Sequence, residues 1–184
     1  MSIFQPDRAK AIDTQFSLRV KEGTLPKPRS FPEEGGSLIP AQILDLFESQ
    51  VMSRHLDLQA RHLKETNQCF YTIGSSGHEG NVVLGWVFRY TDMAFLHYRS
   101  GALMIQRAKQ LPGTTPIYDI LLSLAASKDD PISSGRHKVF GSRQLFVPPQ
   151  TSTIASHLPK AVGMAFSIPF VPNPTIKKEL PQDS

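Results

Sequence analysis

At 184 residues, the chain has room for one domain with an appendage, or for part of a larger domain. Hydrophobic residues make up 40%, enough for most of it to fold, and 20 Lys and Arg against 16 Asp and Glu leave a net +4 that no stretch concentrates, which argues against a nucleic-acid partner. A single cysteine, Cys69, excludes an intrachain disulfide; the first ten residues hold no signal-like apolar run and nothing approaches the ~20 apolar residues of a membrane helix, so a cytoplasmic protein without membrane contact is expected.

Residues 1–37 carry Pro6, Pro26, Pro28 and Pro32 with the pair Gly35-Gly36. Proline removes a donor and fixes φ, so an extended Pro-rich arm is expected rather than a long helix. Asp13–Val20 alternates in part and reads as an edge strand. Pro40 suits a first helical turn. From there Ile43, Leu44, Phe47, Val51, Met52, Leu56, Ala60 and Leu63 recur at three- and four-residue steps, which predicts an amphipathic helix over 40–65. Arg54, Asp57, Arg61 and Lys64 form its expected solvated face. Cys69–Ile73 is a short β-prone run that ends in the turn Gly74–Gly77. Asn81–Phe88 reads as a helix with a tightly packed Gly85. Asp92–His97 is a short apolar run ending at Tyr98-Arg99. Gly101–Gln110 and Ile117–Ser127 read as helices.

From Asp129 to Thr153 the chain is loop-like, with Pro131, Gly135, Gly141, Pro148 and Pro149 among Arg136, His137, Lys138 and Arg143. A loop this long is usually functional or disordered. Ile154–Ile168 reads as a helix rich in small residues that calls for a close-packed neighbour, and residues 169–184 form a Pro-rich linker or end. At most three short strands can be found. The fold class expected is α/β: the helix-rich, incomplete N-terminal part of a domain built on a parallel sheet, with more chain to follow. A small, mostly helical domain with a trailing tail is the alternative on pattern alone.

His78 and Glu79 are an adjacent base and acid, but chain neighbours seldom face each other, so a structural role is expected for both. His55 and His62 share a helix face yet lie ~10 Å apart along the axis, too far for one metal ion. With a lone cysteine there is no zinc set.

Five stretches, in order between Leu38 and Ile168, resemble the alpha subunit of the thiamine-diphosphate-dependent component of branched-chain 2-oxoacid and pyruvate dehydrogenase complexes. They are Met52–Asp57 (MSRHLD), Phe70–Gly80 (FYTIGSSGHEG), Tyr98-Arg99, Gly135-Arg136 with the loop following, and Ser152–Ala165 (STIASHLPKAVGMA). The loop 135–149 is nearer the branched-chain (2-oxoisovalerate) type than the pyruvate type.

The resemblance implies that residues 38–168 are part of a thiamine-diphosphate-binding fold. It implies an oxidoreductase that decarboxylates a 2-oxoacid and passes the acyl group to a lipoyl arm. The partners implied are a beta subunit or fused beta half, in an alpha2beta2 assembly, and a lipoyl-bearing acyltransferase component. The cofactors implied are thiamine diphosphate and Mg²⁺. Tyr98 and Arg99 would reach the diphosphate, Ser152 would supply a backbone contact, and Ile154 would be the wedge behind the thiazolium. Arginine's planar fork of donors suits phosphate. Thr151, Thr153 and Ser156 lie where some relatives bind a potassium ion, although His157 replaces an oxygen-bearing side chain there. The family's GDG motif for Mg²⁺ is absent and is expected beyond residue 184, as is the catalytic histidine loop. His137 is the one candidate on the substrate side. The competing functional reading is a non-catalytic helical docking or assembly module.

Overall fold

The computed structural model describes residues 8–26, 38–69, 74–136, 139–150 and 153–172, in two units, Met1–Ser37 and Leu38–Ser184. In the first unit, Arg8–Glu22 is a helix, α1, where an extended arm with an edge strand was expected. The reason is the spacing. Ile12, Phe16 and Val20 recur every four residues, no proline interrupts the stretch, and Arg19 and Lys21 lie in the last turn, where cations favour a helix.

The second unit begins with α2, Pro40–Glu65. Pro40 stands in the first turn, and the Gln42 side-chain oxygen accepts the Ile39 amide at 3.0 Å, satisfying one donor ahead of the helix. Asn67, at φ 58°, turns the chain out of α2, and the Gln68 amide donates to the Leu63 carbonyl at 2.7 Å. A single 3-10 turn (Glu79–Asn81) leads into α3, Val82–Val87, followed by α4, Gly101–Ala108, α5, Pro116–Leu124, and α6, His157–Ser167.

All eight residues of α4 are buried. It is the hub of the unit, because its side chains enter three apolar clusters. Ile105 packs with Leu56 and Ala60 of α2 and with Ile120 and Leu124 of α5. Leu103, Met104 and Ala108 pack with Leu96, Leu145 and Val147. Ala102 packs with Leu46 of α2 and Val82 of α3. Each large aliphatic side chain buried here stabilises the unit by about 1.5–3 kcal/mol.

Among the described residues there is no strand, so the expected parallel sheet is not found there; they form a helix-rich unit. The pairing that exists is one antiparallel bridge, Ser142 with Val147. Residues 92–97 do not form the strand their apolar run invites. The Ala94 amide donates to the Phe146 carbonyl at 3.0 Å, but the Asp92 carbonyl is taken by the buried Arg107 side chain rather than by a neighbouring strand. The β-prone run Phe70–Ile73 lies outside the described residues, as do 173–184 of the Pro-rich end.

The long loop is ordered around a buried carboxylate. Asp130 accepts the amides of Ile132 at 2.9 Å and Ser133 at 3.2 Å, and the Ser133 hydroxyl at 2.6 Å. Asp57, expected on the solvated face of α2, is instead buried, while Ile43, Leu44 and Phe47 at the start of the expected apolar stripe are exposed. No helix among the described residues is long and apolar enough to cross a membrane.

Candidate functional site

The site is built on the start of α4. Gly101 opens that helix close against α2: a Cβ there would stand 2.5 Å from the Ser53 hydroxyl. The approach brings His97, Tyr98 and Arg99, just ahead of α4, against the turn that begins at Gly74. Arg99 Nη1 donates to the Gly74 carbonyl, and its guanidinium lies 5.3 Å from the centre of the Tyr98 ring. The flat cation on the ring fixes the direction of the remaining donors.

Behind Arg99, α2 holds the turn. The Asp57 carboxylate accepts the Ser75 amide at 2.7 Å and the Ser75 hydroxyl at 2.9 Å. The Ser53 and Ser75 hydroxyls are hydrogen-bonded at 2.9 Å, and Arg54 donates to the Ser76 hydroxyl at 2.7 Å. The acidic residue at the end of the MSRHLD stretch is therefore a positioning group for the turn that anchors Arg99.

Three imidazoles gather with His97 at their centre, and His97 lies against Tyr98. The His97 ring is 3.8 Å from the Tyr98 ring, 6.1 Å from the His78 ring and 6.2 Å from the His157 ring, centre to centre. The Arg99 amide donates to His97 Nδ1 at 3.4 Å, which leaves Nε2 of a neutral His97 as a donor. Burial holds the His97 pKa below the usual imidazole value, and His157, His78 and Arg99 push it the same way. No carboxylate pairs with Arg99 among the described residues. No three of His, Cys, Asp and Glu converge as metal ligands among them.

A half-buried guanidinium, a phenol and three imidazoles without a counter-charge suit an oxyanion with several acceptor oxygens, such as a phosphate. Tyr98 and Arg99 are thus together, and they fit the diphosphate end of the implied cofactor. The described residues do not assemble the oxygen set that Mg²⁺ requires. Ile154 is 74% exposed, directly before α6, and Ala155 beside it has φ 63°. Thr153 is exposed, with its carbonyl accepting the Ser156 amide at 3.3 Å. Thr151, Ser152 and His137 lie outside the described residues. Gln150, one residue earlier, is buried, and its side-chain oxygen has no hydrogen-bond partner among the described residues.

The imidazole cluster was not foreseen from sequence. His78 reads as structural, and His157 as a departure from a cation site. The three come from separate segments, and the available signal was that His97 directly precedes the Tyr-Arg pair. No protein-family model matches the chain, and no curated protein is significantly similar to it.

Proposed function

We propose that the chain supplies the diphosphate-binding side of a thiamine diphosphate site in a decarboxylating 2-oxoacid dehydrogenase. The observation that carries the reading is Arg99, free of any carboxylate among the described residues, lying on Tyr98 and next to His97, whose ring in turn lies 6.1 and 6.2 Å from those of His78 and His157. The five stretches of resemblance give the reading its chemical class. Ser152 and Ile154 enter through the resemblance alone, as do the beta half, the lipoyl-bearing component and Mg²⁺.

Bound there, thiamine diphosphate supplies the carbon nucleophile and electron sink for decarboxylating a 2-oxoacid. The chain's own residues bind and orient. Arg99 grips phosphate oxygens; Tyr98 supports its guanidinium and offers a hydroxyl; His78, His97 and His157 add N–H donors. Asp57 acts through Ser75 and the turn, keeping the Gly74 carbonyl where Arg99 needs it.

The test is calorimetric titration of thiamine diphosphate with Mg²⁺, and of inorganic pyrophosphate alone, into the chain and into Arg99→Ala. Arg99→Ala is expected to lose about 2–4 kcal/mol with both ligands, the loss seen when one member of a desolvated charge pair is truncated. Equal affinity in the two proteins removes Arg99 from the site and the reading with it.

One feature favours the docking-module reading. Exposed apolar side chains line α1 (Ile12, Phe16, Val20) and, separately, α6 (Leu158, Val162, Phe166). Failure of every phosphate compound to bind, together with concentration-dependent self-association in sedimentation, selects that reading.

A further inference from the structure

A second concave site, sharing no lining residue with the imidazole cluster, opens between the first turn of α5 and the 141–149 loop. It is a cleft of about 730 Å³, within the size range that holds a drug-sized ligand. Its walls are largely apolar, with Met93, Ile132, Phe146 and Pro149 among them.

The cleft is built rather than left between slack loops. Ser142 and Val147 exchange two backbone hydrogen bonds, at 2.8 and 2.9 Å, closing the loop beneath it. Phe146 is held at φ 51°, a conformation an aromatic residue seldom adopts, and its carbonyl is tied to the Ala94 amide at 3.0 Å. Strain of this kind persists only where the surroundings over-determine it, and it gathers at ligand sites. At Gly141 an added Cβ would stand 2.9 Å from Ile132 Cγ2 and 3.1 Å from Pro149 Cγ, so the absence of a side chain lets the two walls meet.

Two opposite charges border this apolar space. Asp119, in the first turn of α5, accepts the Thr115 hydroxyl at 3.2 Å and makes no ion pair among the described residues. Arg143, on the loop, is exposed and likewise pairs with no carboxylate among them. An anionic ligand would meet repulsion from Asp119, and a cationic one from Arg143. A neutral apolar ligand would fill the space but leave both bordering charges without a partner. A zwitterion with an apolar body satisfies all three features.

We propose that the cleft binds such a zwitterion, an apolar amino acid or a short apolar peptide with both ends free, its carboxylate on Arg143 and its ammonium on Asp119. The inference stands apart from the cofactor reading and survives if that reading fails.

Saturation-transfer NMR and calorimetry with L-phenylalanine and with leucyl-phenylalanyl-leucine test it, alongside N-acetylated and C-amidated forms of each. At least one parent compound is expected to bind, and capping either end is expected to weaken it tenfold or more. Binding of the amino acid as well as the peptide identifies a single-residue ligand; binding of the peptide alone identifies the longer one. Arg143→Ala should abolish the effect of amidation and Asp119→Asn the effect of acetylation, while circular dichroism stays unchanged because both side chains reach solvent. Absence of binding at millimolar concentration, or binding indifferent to both caps, overturns the proposal.

Discussion

Asp57→Ala tests how the proposed phosphate site around Arg99 is held. In the native protein its buried carboxylate accepts two hydrogen bonds from Ser75, at 2.7 and 2.9 Å, and lies 3.8 Å from Arg54. A hydrogen bond to a charged group contributes about 1.5–3 kcal/mol, and a buried donor left unpaired costs about 1–3 kcal/mol. The two donors differ in what they lose. The Ser75 hydroxyl keeps Ser53 at 2.9 Å, whereas the Ser75 amide is orphaned. The ion pair adds little, because the Arg54 side chain is partly exposed and screened by water. The net expectation is a loss of about 2–4 kcal/mol, a large share of the 5–15 kcal/mol typical of a domain. Asp57→Asn retains one acceptor for the amide and should lose roughly half as much. Urea unfolding followed by circular dichroism measures the loss, and pyrophosphate titration measures its functional echo, since the Gly74 carbonyl that orients Arg99 belongs to the same turn. A loss below about 0.5 kcal/mol, with pyrophosphate affinity unchanged, would refute the claim that Asp57 organises the turn.

Arg107 is 1% exposed and donates to the carbonyls of Leu145 and Tyr90, both at 2.9 Å, and of Asp92. Arg107→Met should cost about 3–5 kcal/mol in thermal or urea unfolding, since three carbonyls lose a charged donor inside the core. A cost under about 1 kcal/mol would mean that water replaces the guanidinium. The His97 pKa lies below its ordinary value of 6.5, mainly through burial, so below that value the unfolded chain takes up the proton more readily than the folded one. The corresponding stability is fully present above pH 6.5 and declines as pH falls toward the lower folded value. Urea midpoints measured from pH 7.5 to 5 should fall, and His97→Gln should flatten that fall; identical slopes in the two proteins would refute the assignment.

Periodic features were readable in the sequence, and contacts between distant segments were not. The helix over 40–65 has the bounds that Pro40 and the apolar spacing imply. Gly85 is as crowded as its setting among large apolar neighbours implies: a Cβ would stand 2.5 Å from the Leu103 carbonyl oxygen, which is where α3 lies on α4. Asp57 escaped the same reasoning, because helix periodicity sees only the face a residue occupies. A turn 18 residues further on gives its carboxylate buried donors, and that turns an apparent solvated position into an interior one. Arg107 is a second instance, a cation in a mostly apolar helix that is buried because three carbonyls surround it.

Local spacing also misled in the first unit. Over Asp13–Val20 the two-residue alternation and the four-residue recurrence coincide in part, and a short window does not separate them. Extending the window to Ile12 decides for the helix, since Ile12, Phe16 and Val20 then share one face.

The Tyr98-Arg99 site lies between these cases. Its two residues are contiguous and could be read directly, but their placement depends on Gly101 and Ser53, which read only as a helix start and a helix interior. A side chain at position 101 would meet the Ser53 hydroxyl, which must then turn out of its bond to Ser75 unless the start of α4 shifts instead. Either change disturbs the support of Arg99, through the Ser75 turn that carries the Gly74 carbonyl or through the segment 97–99 ahead of α4. The geometry of the Tyr98-Arg99 site therefore depends on helix packing at a small residue as much as on the groups that carry the charge.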